Sequence, residues 1–164
     1  MKNDNAPLDW PSLLNHLTDS NIDFLVVGGG ALVLHGIPRT TLDLDIYVPC
    51  DVLIAKELIS LLKDKLCLNI KDENFFNLID RVELLEGQWI AFSIPNGPDI
   101  IDVYFCRKGM FNKLHETADI VEINTAPVHV ANISTLISMK EKSGRPIDLA
   151  DIALMEEYKS LLDE

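Results

Sequence analysis

Short apolar runs alternate with helical stripes along this chain. Leu13, Leu14 and Leu17 recur on one helix face, so residues 9–20 are expected to form a first helix. Residues 24–27 are continuously apolar and stop at Gly28-Gly29-Gly30, the pattern of a buried strand. Residues 31–35 then predict a short helix that Gly36 closes and Pro38 prevents from continuing. A second strand is expected over 42–48. Asp51 is placed to cap a long helix to about residue 66, with Leu58, Ile59, Leu62 and Leu66 inward. Residues 74–85 are expected to hold one strand or two. Residues 88–94 and 99–105 read as strands joined by the turn Asn96-Gly97-Pro98, hence a hairpin. A short helix over 111–117 and a short strand over 128–130 follow. Asn132 caps a helix to about residue 142, Gly144 ends it, and Pro146 opens a last helix over 147–162. This order predicts a mixed α/β (α+β) fold: a central mixed sheet flanked by helices, with a C-terminal helix pair.

Composition narrows the class. A chain of 164 residues has the size of one domain, expected to run from 1 to 164 with a core over about 20–131 and helices over 132–162. No apolar run approaches the roughly 20 residues needed to span a bilayer, and the polar start, Met1 to Asn5, has no signal-peptide core behind it. A cytoplasmic protein with no membrane partner is expected. Cys50, Cys67 and Cys106 are odd in number and scattered, as fits reduced, mostly buried thiols. The net charge of −12 opposes extended nucleic-acid binding, which needs Lys and Arg to displace counterions, but leaves room for a single nucleotide held through a metal.

Candidate chemistry gathers around two segments. On a strand, Asp43 and Asp45 project to one face about 6.6 Å apart, while Leu42, Leu44 and Ile46 face the core. Asp102 is a lone acid in the apolar strand Ile100-Ile101-Asp102-Val103-Tyr104-Phe105, where a charge is costly to bury unpaired. If that strand neighbours the second one, the three acids meet. Like charges about 4 Å apart repel by roughly 4 kcal/mol at an effective dielectric near 20, so the cluster calls for a hard cation, Mg²⁺ or Mn²⁺. Gly28 and Gly29, between a buried strand and a helix, let a phosphate approach backbone N–H groups closely.

Gly28-Gly29, the short helix after it, Asp43-Leu44-Asp45 and a third acid on a later strand together resemble the DNA polymerase β-like nucleotidyltransferase superfamily. His35-Gly36-Ile37-Pro38-Arg39-Thr40-Thr41-Leu42-Asp43-Leu44-Asp45 is similar to its small bacterial branch, which includes the nucleotidyltransferases of abortive-infection and toxin–antitoxin systems. So is Leu136-Ile137-Ser138-Met139-Lys140-Glu141-Lys142-Ser143-Gly144-Arg145-Pro146-Ile147-Asp148-Leu149-Ala150-Asp151. The resemblance covers residues 20–158. It implies a nucleotidyltransferase fold and transfer of a nucleoside monophosphate from an NTP to an acceptor hydroxyl on a protein, a tRNA or a small molecule. Asp43 and Asp45 would hold two metals, and Asp102 would complete the catalytic site. Arg39, Lys140 and Arg145 would serve the phosphates with Gly28 and Gly29. At this length a homodimer or a partner protein is expected to complete the cleft. Many active members carry Gly-Ser where this chain has Gly28-Gly29, which leaves a second reading: a catalytically weak nucleotide- or partner-binding module.

Other motifs fail. Val33 stands where a dinucleotide fingerprint needs Gly or Ala, and no Gly-Lys-Ser/Thr follows the glycines. Tyr47 and Val48 break an EF-hand pattern. Asp119 occupies the place of the second histidine after His115-Glu116. Asp99, beside Pro98, competes with Asp102 for the third position but is expected to be exposed. Asp148 and Asp151 read as acids favoured by the start of the last helix.

Overall fold

A computed structural model describes residues 8–164. Seven strands form one mixed sheet: β1 (Leu25–Val27), β2 (Leu44–Pro49), β3 (Asn69–Ile70), β4 (Trp89–Ser93), β5 (Asp99–Cys106), β6 (Asp119–Ile123) and β7 (Ala126–Val130). Their order is β3-β4-β5-β2-β1-β7-β6. The central strands β2 and β5 run parallel, and β1 lies antiparallel to β2. Helices α1 (Trp10–Thr18), α2 (Gly28–Leu34) and α3 (Val52–Ile59) precede β3; α4 (Val82–Leu85) and α5 (Lys108–Glu116) flank the β4–β5 hairpin; α6 (Ile133–Ser143) and α7 (Pro146–Leu162) pack on each other at the end. No helix among the described residues is long and apolar enough to cross a membrane.

Alternation divides β2 and β5 into two faces. Leu44, Ile46 and Val48 are buried, as are Ile101, Val103 and Phe105, and they join Leu13, Leu14, Leu17, Leu58 and Leu62 in one core. The opposite face carries Asp45, Tyr47, Asp102 and Tyr104, each partly exposed. One face therefore holds the protein together and the other is left for chemistry.

The helix boundaries follow their caps. Asp9 accepts from the Ser12 N–H, Asp51 from those of Leu53 and Ile54, and Asn132 from that of Thr135. Gly144 ends α6 at φ 64°, the left-handed conformation that glycine adopts without Cβ strain.

Several expectations are corrected. Residues 74–85 form no strand: Asp72 caps a 3₁₀ turn, Glu73–Asn77, and α4 follows. Leu42 does not face the core but is 78% exposed, because the chain bends before β2 starts at Leu44. The Thr41 hydroxyl donates to the Asp43 carbonyl at 3.0 Å, holding that bend and leaving Asp43 outside the strand. The short helix starts at Gly28 rather than residue 31, so the glycines form its first turn. Strands β3 and β6 were not expected. β6 joins β7 through Asn124 and Thr125, both at positive φ, and this hairpin turn lacks the usual glycine. After α3 the helix continues as a π-type turn, Ser60–Lys65, and Leu66 is only partly buried. Cys50 and Cys106 are buried, whereas Cys67 is exposed.

Candidate metal and nucleotide site

Strand register assembles the acids. Across the sheet Val27 lies opposite Asp45, Asp45 opposite Asp102, and Asp102 opposite Ala91. Because β2 and β5 are parallel and in register, two acids far apart in sequence point from the same level of the same face. Asp43 joins them from the bend, and one carboxylate oxygen from each residue lies within 4.8 Å of the others. Asp99 belongs elsewhere: it starts β5 and pairs with Lys71 at 2.7 Å.

Crowding of like charge out of water disfavours ionisation. Burial first, and then the charges of Asp43 and Asp102, push the Asp45 carboxyl up to about 7, against the pull of Lys140 and Arg145. Burial, with Asp43 and Asp99, raises Asp102 to about 6. The Tyr104 phenol is driven to about 12 by burial and by Asp45 and Asp102, so it remains a neutral donor. Asp102 Oδ1 is buried without a hydrogen-bond partner. Three hard oxygen donors at this spacing, with an orphaned oxygen on one of the three residues, fit a divalent cation.

The glycine turn lies against this cluster. Gly28 has φ +65°, and a Cβ there would overlap the Asp45 carboxylate. A Cβ on Gly29 would come within 3.2 Å of the Thr41 side chain, whose hydroxyl sits beside the turn, and 3.7 Å from the Arg39 guanidinium carbon. A serine at position 29 would be crowded; the hydroxyl there belongs to Thr41 instead, a residue the sequence patterns did not single out.

Both features open into a cleft of about 470 Å³. Gly28, Gly29, Arg39, Lys140 and Arg145 all line it. The three cations are not free arms, however. Arg39 Nε lies 2.8 Å from Asp151 Oδ1, an ion pair by distance whose N–H direction misses hydrogen-bond alignment. Lys140 Nζ donates to Asp151 Oδ2 at 2.6 Å and sits 3.4 Å from Asp148 Oδ1. Arg145 grips Asp148 through its backbone N–H, Nε and Nη2, which holds that carboxyl well below the usual range. Asp148 and Asp151 are 1% and 2% exposed. Both were expected only as acids favoured by the start of a helix; they are in fact buried against the cleft's cations. The available signal was their spacing of three, which puts both on one helix face.

No family model matches the chain, and no curated protein matches its sequence. Solved structures do match in shape. An antigenic nucleotidyltransferase-like protein from Paracoccidioides brasiliensis superposes with a TM-score of 0.52 at 18% identity, covering 92% of this chain and 78% of its own. A protein from Thermotoga maritima presumed to be a nucleotidyltransferase gives a TM-score of 0.51 at 15% identity, covering 99% and 100%. This chain has the nucleotidyltransferase fold. At such identities the likeness concerns the fold, and chemistry has to be argued from the site.

Proposed function

We propose that the protein transfers a nucleoside monophosphate from an NTP to an acceptor hydroxyl. One observation carries this reading: three carboxylates from β2, β5 and the preceding bend converge beside a glycine turn, and Gly28 and Gly29 of that turn line the same cleft. Asp43, Asp45 and Asp102 would hold Mg²⁺ or Mn²⁺. A bound divalent ion would neutralise the three acids and the developing phosphate charge. Gly28 and Gly29 admit the triphosphate, with Arg39 and Lys140 on the wall beside them. Arg145, held by Asp148 yet with a side chain 68% exposed, presents its planar fork to an incoming phosphate. In the reaction the acceptor oxygen forms a bond to the α-phosphorus. The bond from that phosphorus to the bridging oxygen breaks, and pyrophosphate leaves with the electron pair. Asp102, whose Oδ1 has no hydrogen-bond partner among the described residues, would help to take the hydroxyl proton.

Thermal unfolding with Mg²⁺, with each of the four NTPs, and with both together tests the reading. A ligand at a hundred times its dissociation constant stabilises by about 2.7 kcal/mol. A rise in midpoint only when both are present, followed by label transfer from an α-labelled NTP, is the expected result. No response to any pair at millimolar concentration would remove the nucleotide site. A second copy or another protein that covers the cleft is part of the same proposal, and would show as a ligand response that depends on protein concentration.

A further inference from the structure

Beneath the cations of the cleft lies a chain of alternating charge: Arg39, Asp151, Lys140, Asp148, Arg145. Its members come from three places. Arg39 lies on the loop between α2 and β2, Lys140 on the last turn of α6, Arg145 between the two final helices, and both acids on the first turns of α7. Asp151 is the member that joins the loop to the helix pair: one oxygen meets Arg39 at 2.8 Å and the other meets Lys140 at 2.6 Å. Each of these contacts lies beside a part of the site. Arg39 lies over Gly29, and the charge of Lys140 reaches Asp45. Lys140 is 8% exposed and packed between two acids, so it has few other places to go.

Nothing about general stability calls for such an arrangement. A buried ion pair contributes little net stability compared with apolar packing of the same volume, because desolvation offsets most of the attraction. What it does supply is fixed direction: each side chain has one geometry that satisfies its partner. A flexible lysine or arginine that must be ordered by the ligand costs roughly 0.5–1.5 kcal/mol per side chain on binding. Here that ordering is already done.

We propose that Asp151 is a positioning residue that pre-orders Arg39 and Lys140 side by side on one wall of the cleft, so that both meet the triphosphate of an NTP without rearrangement. Asp148 plays the same part for Arg145 and braces Lys140. Neither acid touches substrate; each acts through the cation it holds. This rests on the nucleotide reading above, and it assigns the burial of two charges that the metal cluster does not use.

The test is calorimetric titration of Mg²⁺ with ATP, GTP, CTP and UTP in turn, on wild type, Asp151→Asn, Lys140→Met and the double variant. Mn²⁺ alone is titrated in parallel. Asp151→Asn should weaken the nucleotide on the order of ten-fold, as loss of a partner that orients a ligand-binding group does in other sites. Mn²⁺ affinity should stay within two-fold, about the resolution of such titrations and well under the ten-fold of 1.4 kcal/mol. In the Lys140→Met background, Asp151→Asn should add less than it does alone, because part of its action is then already lost. Asp151→Glu keeps the charge at a longer reach and should fall between wild type and Asp151→Asn. Wild-type nucleotide affinity in Asp151→Asn, fully additive losses, or equal loss of Mn²⁺ binding would each overturn the proposal. If Asp151→Asn does not fold, Asp151→Glu decides: nucleotide affinity equal to wild type overturns it. Should wild type itself bind none of the four NTPs, the nucleotide reading fails, and the positioning role falls with it.

Discussion

Replacing Asp45 with Asn should make the metal-free protein more stable, not less. In the native fold this carboxyl is raised from 3.8 to about 7. A carboxyl with a raised native value binds its proton more tightly folded than unfolded, so its contribution favours the unfolded state as pH climbs. The penalty is absent well below pH 4, grows from there to pH 7, and is complete above. At pH 8 linkage gives about 4 kcal/mol, and at pH 5 less than half of that. Asn keeps the shape and removes the charge. With about 2–4 °C per kcal/mol for a chain of this size, the variant should melt several degrees higher at pH 8, and the gap should shrink by more than half at pH 5. Chelator-treated protein followed by circular dichroism at both pH values measures this. In Mg²⁺ and NTP the order should reverse, because only the wild type keeps the complete ligand set. The reasoning is refuted if Asp45→Asn melts below the wild type at pH 8 without metal. That would mean that Lys140 and Arg145, which pull the other way, outweigh burial and the two neighbouring acids.

The same titrations make metal binding depend on pH. With Asp45 near 7 and Asp102 near 6, protons compete for the site below neutrality. Mn²⁺ affinity, read by electron paramagnetic resonance, should fall at least ten-fold from pH 8 to pH 5.5, since Asp45 alone gives roughly thirty-fold over 1.5 pH units; a flat profile would contradict the cluster's charge. Gly28→Ala should combine about 1–3 kcal/mol of backbone strain at φ +65° with displacement of the Asp45 carboxylate. It should therefore lower both the melting midpoint and Mn²⁺ affinity, and unchanged metal affinity would place Gly28 outside the site.

The fold was legible where local chemistry and tertiary packing agree. Asp9, Asp51 and Asn132 cap helices where their side chains suggest, and Gly144 and Pro146 divide α6 from α7. The hairpin of β4 and β5 follows from alternation around Asn96-Gly97-Pro98. Reading failed where a short apolar segment has no period of its own. Phe75, Phe76, Leu78 and Ile79 look like strand residues, yet Asp72 turns the chain into a 3₁₀ helix and packs Phe75 on Phe105. β6 was invisible because its residues are mostly exposed and its turn uses Asn124 and Thr125 at positive φ without a glycine.

The site divides in the same way. Asp43 and Asp45 announce themselves by spacing, although Asp43 reaches the cluster through a bend that Thr41 holds rather than through strand alternation. Asp102 required a guess that two strands are neighbours, and parallel register supplies it. Asp148 and Asp151 could not be read as buried from sequence, because acids near a helix start are usually solvated. Their burial depends on where α7 lands, and α7 lands where Arg39 and Lys140 wait. A sequence displays groups that meet a ligand, since these are chemically unusual for their element. It hides groups that hold those in place, since they look ordinary until the partners are known. An acid at a helix start that is buried among cations is therefore better evidence for an organised site than the same acid exposed. Here the charge chain from Arg39 to Arg145 gives the acidic cluster its opposite wall.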